Sequence, residues 1–133
     1  MTNNLKYMSA EWGAEAEKRL RAELTPEKAK NITTTMCCIY KNCPDGKQRY
    51  YFIKVENGNV VELVVSDQEP PKAEFTLTGD YETFAKLTRG DLSGRSALMG
   101  RKINLKGNLI KAIKLSAVSD RMNKILSKIP TEY

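Results

Sequence analysis

Residues 96–115 read S-A-L-M-G-R-K-I-N-L-K-G-N-L-I-K-A-I-K-L, and the placing of this stretch decides the fold. Its middle alternates: Ile103 and Leu105 share one face while Lys102, Asn104 and Lys106 share the other. That period of two belongs to a half-buried strand, expected over Lys102–Lys106. Gly107 supplies the backbone freedom of an abrupt turn and Asn108 is a good N-cap, so a helix is expected from Leu109. On that helix Leu109, Ile110, Ile113 and Ala117 form one apolar stripe, with Lys111 and Lys114 off it. A basic strand and helix with an apolar underside are expected to cover either a protein core or a lipid.

Working outward, the chain before this stretch supplies a sheet. Ser9 is placed to cap a helix from Ala10 to about Leu24, with Trp12, Ala16, Leu20 and Leu24 four residues apart. Thr25 and Pro26 restart a short helical turn. Ile32–Lys41, rich in β-branched and aromatic residues, reads as a strand, and Gln48–Glu56 as its hairpin partner across the Cys43-Pro44-Asp45-Gly46 turn. Asn57-Gly58-Asn59 is a tight turn into a third strand, Val60–Ser66. Pro70-Pro71 marks a connection, and Ala73–Thr78 alternates as a fourth strand. Asp80 is expected to cap a helix over Tyr81–Thr88 that Gly90 ends. After the opening stretch, a final helix is expected over Ser119–Ile129, stopped by Pro130. Strands and helices in this order define an α+β (or α/β) sheet layered with helices, in a single domain over residues 1–133.

The chain has no histidine, which removes the Ser-His-Asp and Cys-His nucleophile systems and most catalytic zinc sites. Cys37 and Cys38 are adjacent on a strand and point to opposite faces, so they cannot share a metal. No glycine-rich phosphate loop follows a strand, and no carboxylate pair sits in an apolar segment. The expectation is of no enzyme, no metal and no cofactor. Three clustered cysteines argue against a disulfide framework and fit a reducing cytoplasm, and the first residues lack an apolar signal segment. Net charge is +6 but uneven: residues 1–83 carry 11 Lys/Arg against 13 Asp/Glu, whereas residues 84–133 carry 11 against 3. The basic C-terminal third suits an anionic membrane surface or lipid head group, or merely solvates helix and strand faces. Nucleic acid is disfavoured, because the aromatic residues Tyr40, Tyr50, Tyr51 and Phe52 lie in the acidic half.

The order of elements, and above all residues 73–115, resembles the sterol-carrier-protein-2-like family of lipid-binding domains. The residues that carry the resemblance are the A-x-F-T-L-T strand and G-D-Y-E-T-F-A-K-L-T-R-G. Ser96-Ala97-Leu98-Met99 follows, then K-I-N-L-K-G-N-L and A-I-K-L. The resemblance implies a five-stranded mixed sheet covered by helices, with an apolar tunnel between them that takes fatty acids, acyl-CoA, sterols or other lipids without covalent chemistry. Two departures matter. Ser116 stands where eukaryotic members often carry a polar amide, and the chain ends Pro130-Thr131-Glu132-Tyr133 rather than in a peroxisomal address. The helix expected over Ser119–Ile129 is an addition that would cap or narrow the tunnel.

A tunnel needs apolar side chains that converge without filling the space. The candidates are Phe75, Leu77, Phe84, Leu87, Leu98, Met99, Ile103, Leu105, Leu109, Ile110 and Ile113, with Met36 and Met99 as adaptable thioether wall. The expected function is non-enzymatic lipid binding or transfer, as monomer or homodimer. The alternative is a ligand-free interaction or regulatory module using the same apolar face.

Overall fold

The computed structural model describes residues 4–133. The reading of the N-terminus as free of a signal segment falls partly on residues 1–3, outside those described. Element order is β1 (Leu5–Lys6), α1 (Ala10–Glu23), β2 (Thr34–Lys41), β3 (Arg49–Glu56), β4 (Asn59–Ser66) and β5 (Phe75–Asp80). Then come α2 (Tyr81–Arg89), α3 (Gly94–Met99), β6 (Asn104–Lys106), α4 (Leu109–Leu126) and β7 (Thr131–Glu132). Among the described residues no helix is long and apolar enough to cross a membrane.

β2 to β6 form one mixed sheet of five strands in the order β4-β3-β2-β5-β6, antiparallel throughout except for the parallel β2–β5 pair. The β3–β4 hairpin turns at Asn57 (φ 50°) and Gly58 (φ 79°), the left-handed pair that a two-residue turn needs to match strand twist. One face of the sheet carries the helices. Across the other runs the connection 67–74, whose Glu69, Pro70 and Pro71 flank a groove with Cys37, Ile39 and Tyr50. Cys37 and Cys38 thus do face opposite ways, and each is buried.

The helix starts follow the sequence. Ser9 Oγ accepts from the Trp12 amide at 3.1 Å and Asn108 Oδ1 from the Lys111 amide at 2.9 Å, each satisfying an amide the first turn leaves free. Asp80 occupies the N-cap of α2, but its carboxylate is turned to Asn42 Nδ2 at 2.7 Å instead of capping. Trp12, Ala16 and Leu20 form the fully buried underside of α1, which lies along β4 with Gly13 against Val65.

Two features depart from the sequence reading. No separate helix begins at Ser119, because α4 runs unbroken from Leu109 to Leu126. Ser119-Asp120 resembles a helix start in sequence, yet the Asp120 carboxylate accepts from the Gly94 amide at 2.8 Å, stapling α3 to α4 while the helix continues. The second is a small parallel sheet of β1 and β7 joining the two ends of the described chain, Leu5 beside Thr131. Trp12 Nε1 donates to Thr131 Oγ1 at 3.2 Å and fixes it to the core.

Candidate functional site

Alternation along the strands aims one set of side chains at the helices. These are Thr34, Met36, Cys38 and Tyr40 from β2, Tyr51, Ile53 and Val55 from β3, and Phe75 and Leu77 from β5. Facing them are Phe84, Leu87 and Thr88 of α2, Leu98 of α3 and a long stripe of α4. Between the two layers lies a cavity of about 110 Å³. No Lys, Arg, Asp or Glu is among the described residues that line it. An ion inside such walls would lose its hydration without a counter-charge, so the cavity suits uncharged groups.

Of the candidates named from sequence, Met36, Phe75, Leu77, Phe84, Leu87, Leu98, Ile103 and Leu105 line this cavity. Met99, Leu109, Ile110 and Ile113 do not, and three of them face solvent: Met99 is 60% exposed, Leu109 50% and Ile110 68%. The reason is that α4 carries two apolar stripes. The outward one is Leu109, Ile110, Ile113 and Ala117. The inward one is Ala112, Leu115, Ser119, Met122 and Leu126, which with Ser116, Val118 and Asn123 walls the cavity. Its spacing of three and four is regular and legible, but small and polar members dilute its hydrophobicity.

At the α2 end, a polar cluster closes the cavity. Tyr40 stacks on Phe84 with ring centroids 4.2 Å apart and planes at 15°. The Tyr40 hydroxyl meets Tyr7 Oη at 2.7 Å, and Tyr7 Oη meets Thr88 Oγ1 at 2.6 Å. Tyr7 lies outside every periodic segment, so no pattern in the sequence marks it. Burial pushes the Tyr7, Tyr40 and Tyr51 hydroxyls and the Cys38 thiol well above their ordinary pKa values, keeping this wall neutral. Ser116 lines the cavity, but its hydroxyl donates back to the Ile113 carbonyl at 2.6 Å on its own helix.

At the other end the rim is polar. Thr34 Oγ1 donates to Glu74 Oε1 at 2.6 Å, and Glu74 Oε2 accepts from Lys111 Nζ. Lys111 Nζ also lies 5.9 Å from the centre of the Phe75 ring. These contacts tie β2, the start of β5 and the first turn of α4 together beside the cavity-lining Thr34 and Phe75.

A five-stranded mixed sheet with helices on one face and an uncharged apolar cavity between the layers defines a small α+β protein with an apolar interior space. Residues 15–120 match the SCP-2 sterol transfer family, and the chain belongs to that family. The fold is similar to a crystal structure of sterol carrier protein 2, with a TM-score of 0.79 at 18% identity over 93% of this chain and 99% of that one. It is equally similar to the solution structure of a possible sterol carrier protein from Thermus thermophilus, with a TM-score of 0.79 at 18% identity, covering 98% and 94%. Palmitated SCP2L2 from Aedes aegypti gives a TM-score of 0.60 at 20% identity, covering 84% and 94%. In sequence the chain is 32% identical over 82 residues, 62% of its length, to hydroxysteroid dehydrogenase-like protein 2 of Bos taurus. It spans only 19% of that relative, and 18% of the Homo sapiens protein, to which it is 33% identical over 79 residues. Family membership supports lipid binding or transfer as the general role.

Proposed function

We propose that this chain is a non-enzymatic lipid carrier, which holds the apolar part of a fatty acid, acyl-CoA or sterol-like lipid between the sheet and α4. The observation that carries this reading is the uncharged cavity, in a chain of a sterol transfer family. Because no charged side chain lines it, a lipid enters by its uncharged part, and a fatty acid goes in tail first and leaves its carboxylate outside.

A buried water needs roughly 10–15 Å³ of such space, so the cavity accommodates about eight water-sized groups, half of a long acyl chain. At about 0.8 kcal/mol per methylene that portion contributes about 6 kcal/mol before the cost of association. Longer chains require the wall to give, and Met36 and Met122 are the unbranched, adaptable side chains placed to do so. Three free, buried cysteines favour a reducing cytoplasm.

Ala112→Phe tests the reading. The added ring enters the empty space, so the variant stays folded by circular dichroism and loses at least about tenfold in affinity for a fluorescent fatty acid. Equal uptake by the folded variant and the wild type would remove the cavity from the account. The exposed stripe of α4 is the one observation favouring an interaction module, and a lipid-based role for it follows.

A further inference from the structure

We propose that the outer face of α4, together with the end of α3, docks on an anionic lipid bilayer and sets the cavity against the membrane. Six large apolar side chains are exposed among the described residues, and three of them, Met99, Leu109 and Ile110, fall between positions 99 and 110. Ile110, Ile113 and Ala117 recur at helical spacing along the outward stripe of α4, with none of them lining the cavity. A solvated stripe of this kind is costly to leave uncovered and marks an interaction surface.

Charge selects the occupant. From residue 92 to residue 119 there is no Asp or Glu, while Arg95, Arg101, Lys102, Lys106, Lys111 and Lys114 are all exposed. Only Lys111 among them makes an ion pair with a described residue. A second copy docked through this face would bring its cations against like cations across a two-fold axis, which opposes self-association. A bilayer of anionic lipids satisfies both features, taking the apolar side chains into its interface and the cations at its phosphates.

The same elements also wall the cavity. Leu98 lines it next to Met99, and Ala112 and Leu115 line it from the inner side of the turns that carry Ile110 and Ile113 outside. A chain docked this way has one layer of helix between its cavity and the membrane. The purpose of docking rests on the carrier reading, but docking itself is measured separately.

The test is co-sedimentation of the full chain with vesicles of phosphatidylcholine and phosphatidylglycerol, against vesicles of phosphatidylcholine alone. Fluorescent fatty acid uptake is measured in parallel without vesicles. The wild type partitions to the anionic vesicles and is released by salt. Ile110→Asn lowers partition about tenfold. Lys106→Glu and Lys114→Glu each cost at least about fivefold. None of the three changes fatty acid uptake. Docking is overturned by no partition of the wild type, by equal partition of all variants, or by variants that only shift the elution of a dimer. Docking without fatty acid uptake would instead uphold this proposal and remove the carrier reading.

Discussion

Lys111, in the first turn of α4, is bonded to Glu74 at the foot of β5, and the pair bridges helix and sheet at the rim of the cavity. We propose that the pair latches the start of α4 to the sheet. Both side chains are substantially exposed, so the pair contributes at most about 1 kcal/mol to stability. Its larger effect is expected on the rate at which a bound lipid leaves.

Glu74→Ala is therefore expected to speed lipid release about threefold to fivefold while Tm falls by no more than about 4 °C. The hydrogen bond from Lys111, seconded by that from Thr34, holds the Glu74 carboxyl below the usual carboxylate range. The latch is thus complete above the unfolded value of about 4.3 and is lost as pH falls through the lower folded value. Stopped-flow release should accelerate in the wild type only once pH has fallen below the ordinary glutamate range, and show no such step in Glu74→Ala.

At the opposite extreme of pH, the buried hydroxyls of Tyr7, Tyr40 and Tyr51 decide the outcome. Burial raises all three, so the folded chain keeps protons that the unfolded chain gives up near pH 10. Their contribution is complete below the unfolded value and shrinks as pH rises through it. Each group costs about 1.4 kcal/mol per pH unit, so three together cost about 4 kcal/mol per unit above pH 10. Circular dichroism should show a steep alkaline unfolding between about pH 10 and 12. Tyr51→Phe should make it shallower.

Two glycines with the same left-handed backbone separate strain from collision. Gly46 (φ 76°) has open space where a Cβ would lie, whereas a Cβ on Gly58 (φ 79°) would sit 2.6 Å from Pro26 Cα. Gly46→Ala should cost about 1 kcal/mol for the backbone alone. Gly58→Ala should cost about 3 kcal/mol, because the Pro26 backbone cannot give and any shift of residue 58 disturbs the 2.8 Å hydrogen bond that its amide donates to the Ile32 carbonyl. Urea unfolding of both variants measures the difference.

The meander and its turns are legible in the sequence because alternation and the Asn57-Gly58 pair act locally. So are eight wall residues, since Phe75, Leu77 and Leu105 face inward by simple strand parity and Ile103, just ahead of β6, keeps the same alternation. The face of α4 is not. Judged by hydrophobicity, Ile110 and Ile113 outrank Ala112, Ser116 and Ser119, but a wall beside empty space takes small residues, and the strongest apolar stripe is turned outward. Tyr7 and the β1–β7 pair depend on contacts between the two ends of the chain, with no local signal to announce them.

Native mass spectrometry of the freshly purified chain, followed by organic extraction of what it holds, tests lipid carriage most directly. The account predicts a stoichiometric lipid adduct on the wild type, displaced by added fatty acid and absent from Ala112→Phe. An apo mass that takes up neither fatty acid, acyl-CoA nor sterol at about 100 μM, the concentration at which a ligand bound with about 5 kcal/mol or more would register, would contradict it.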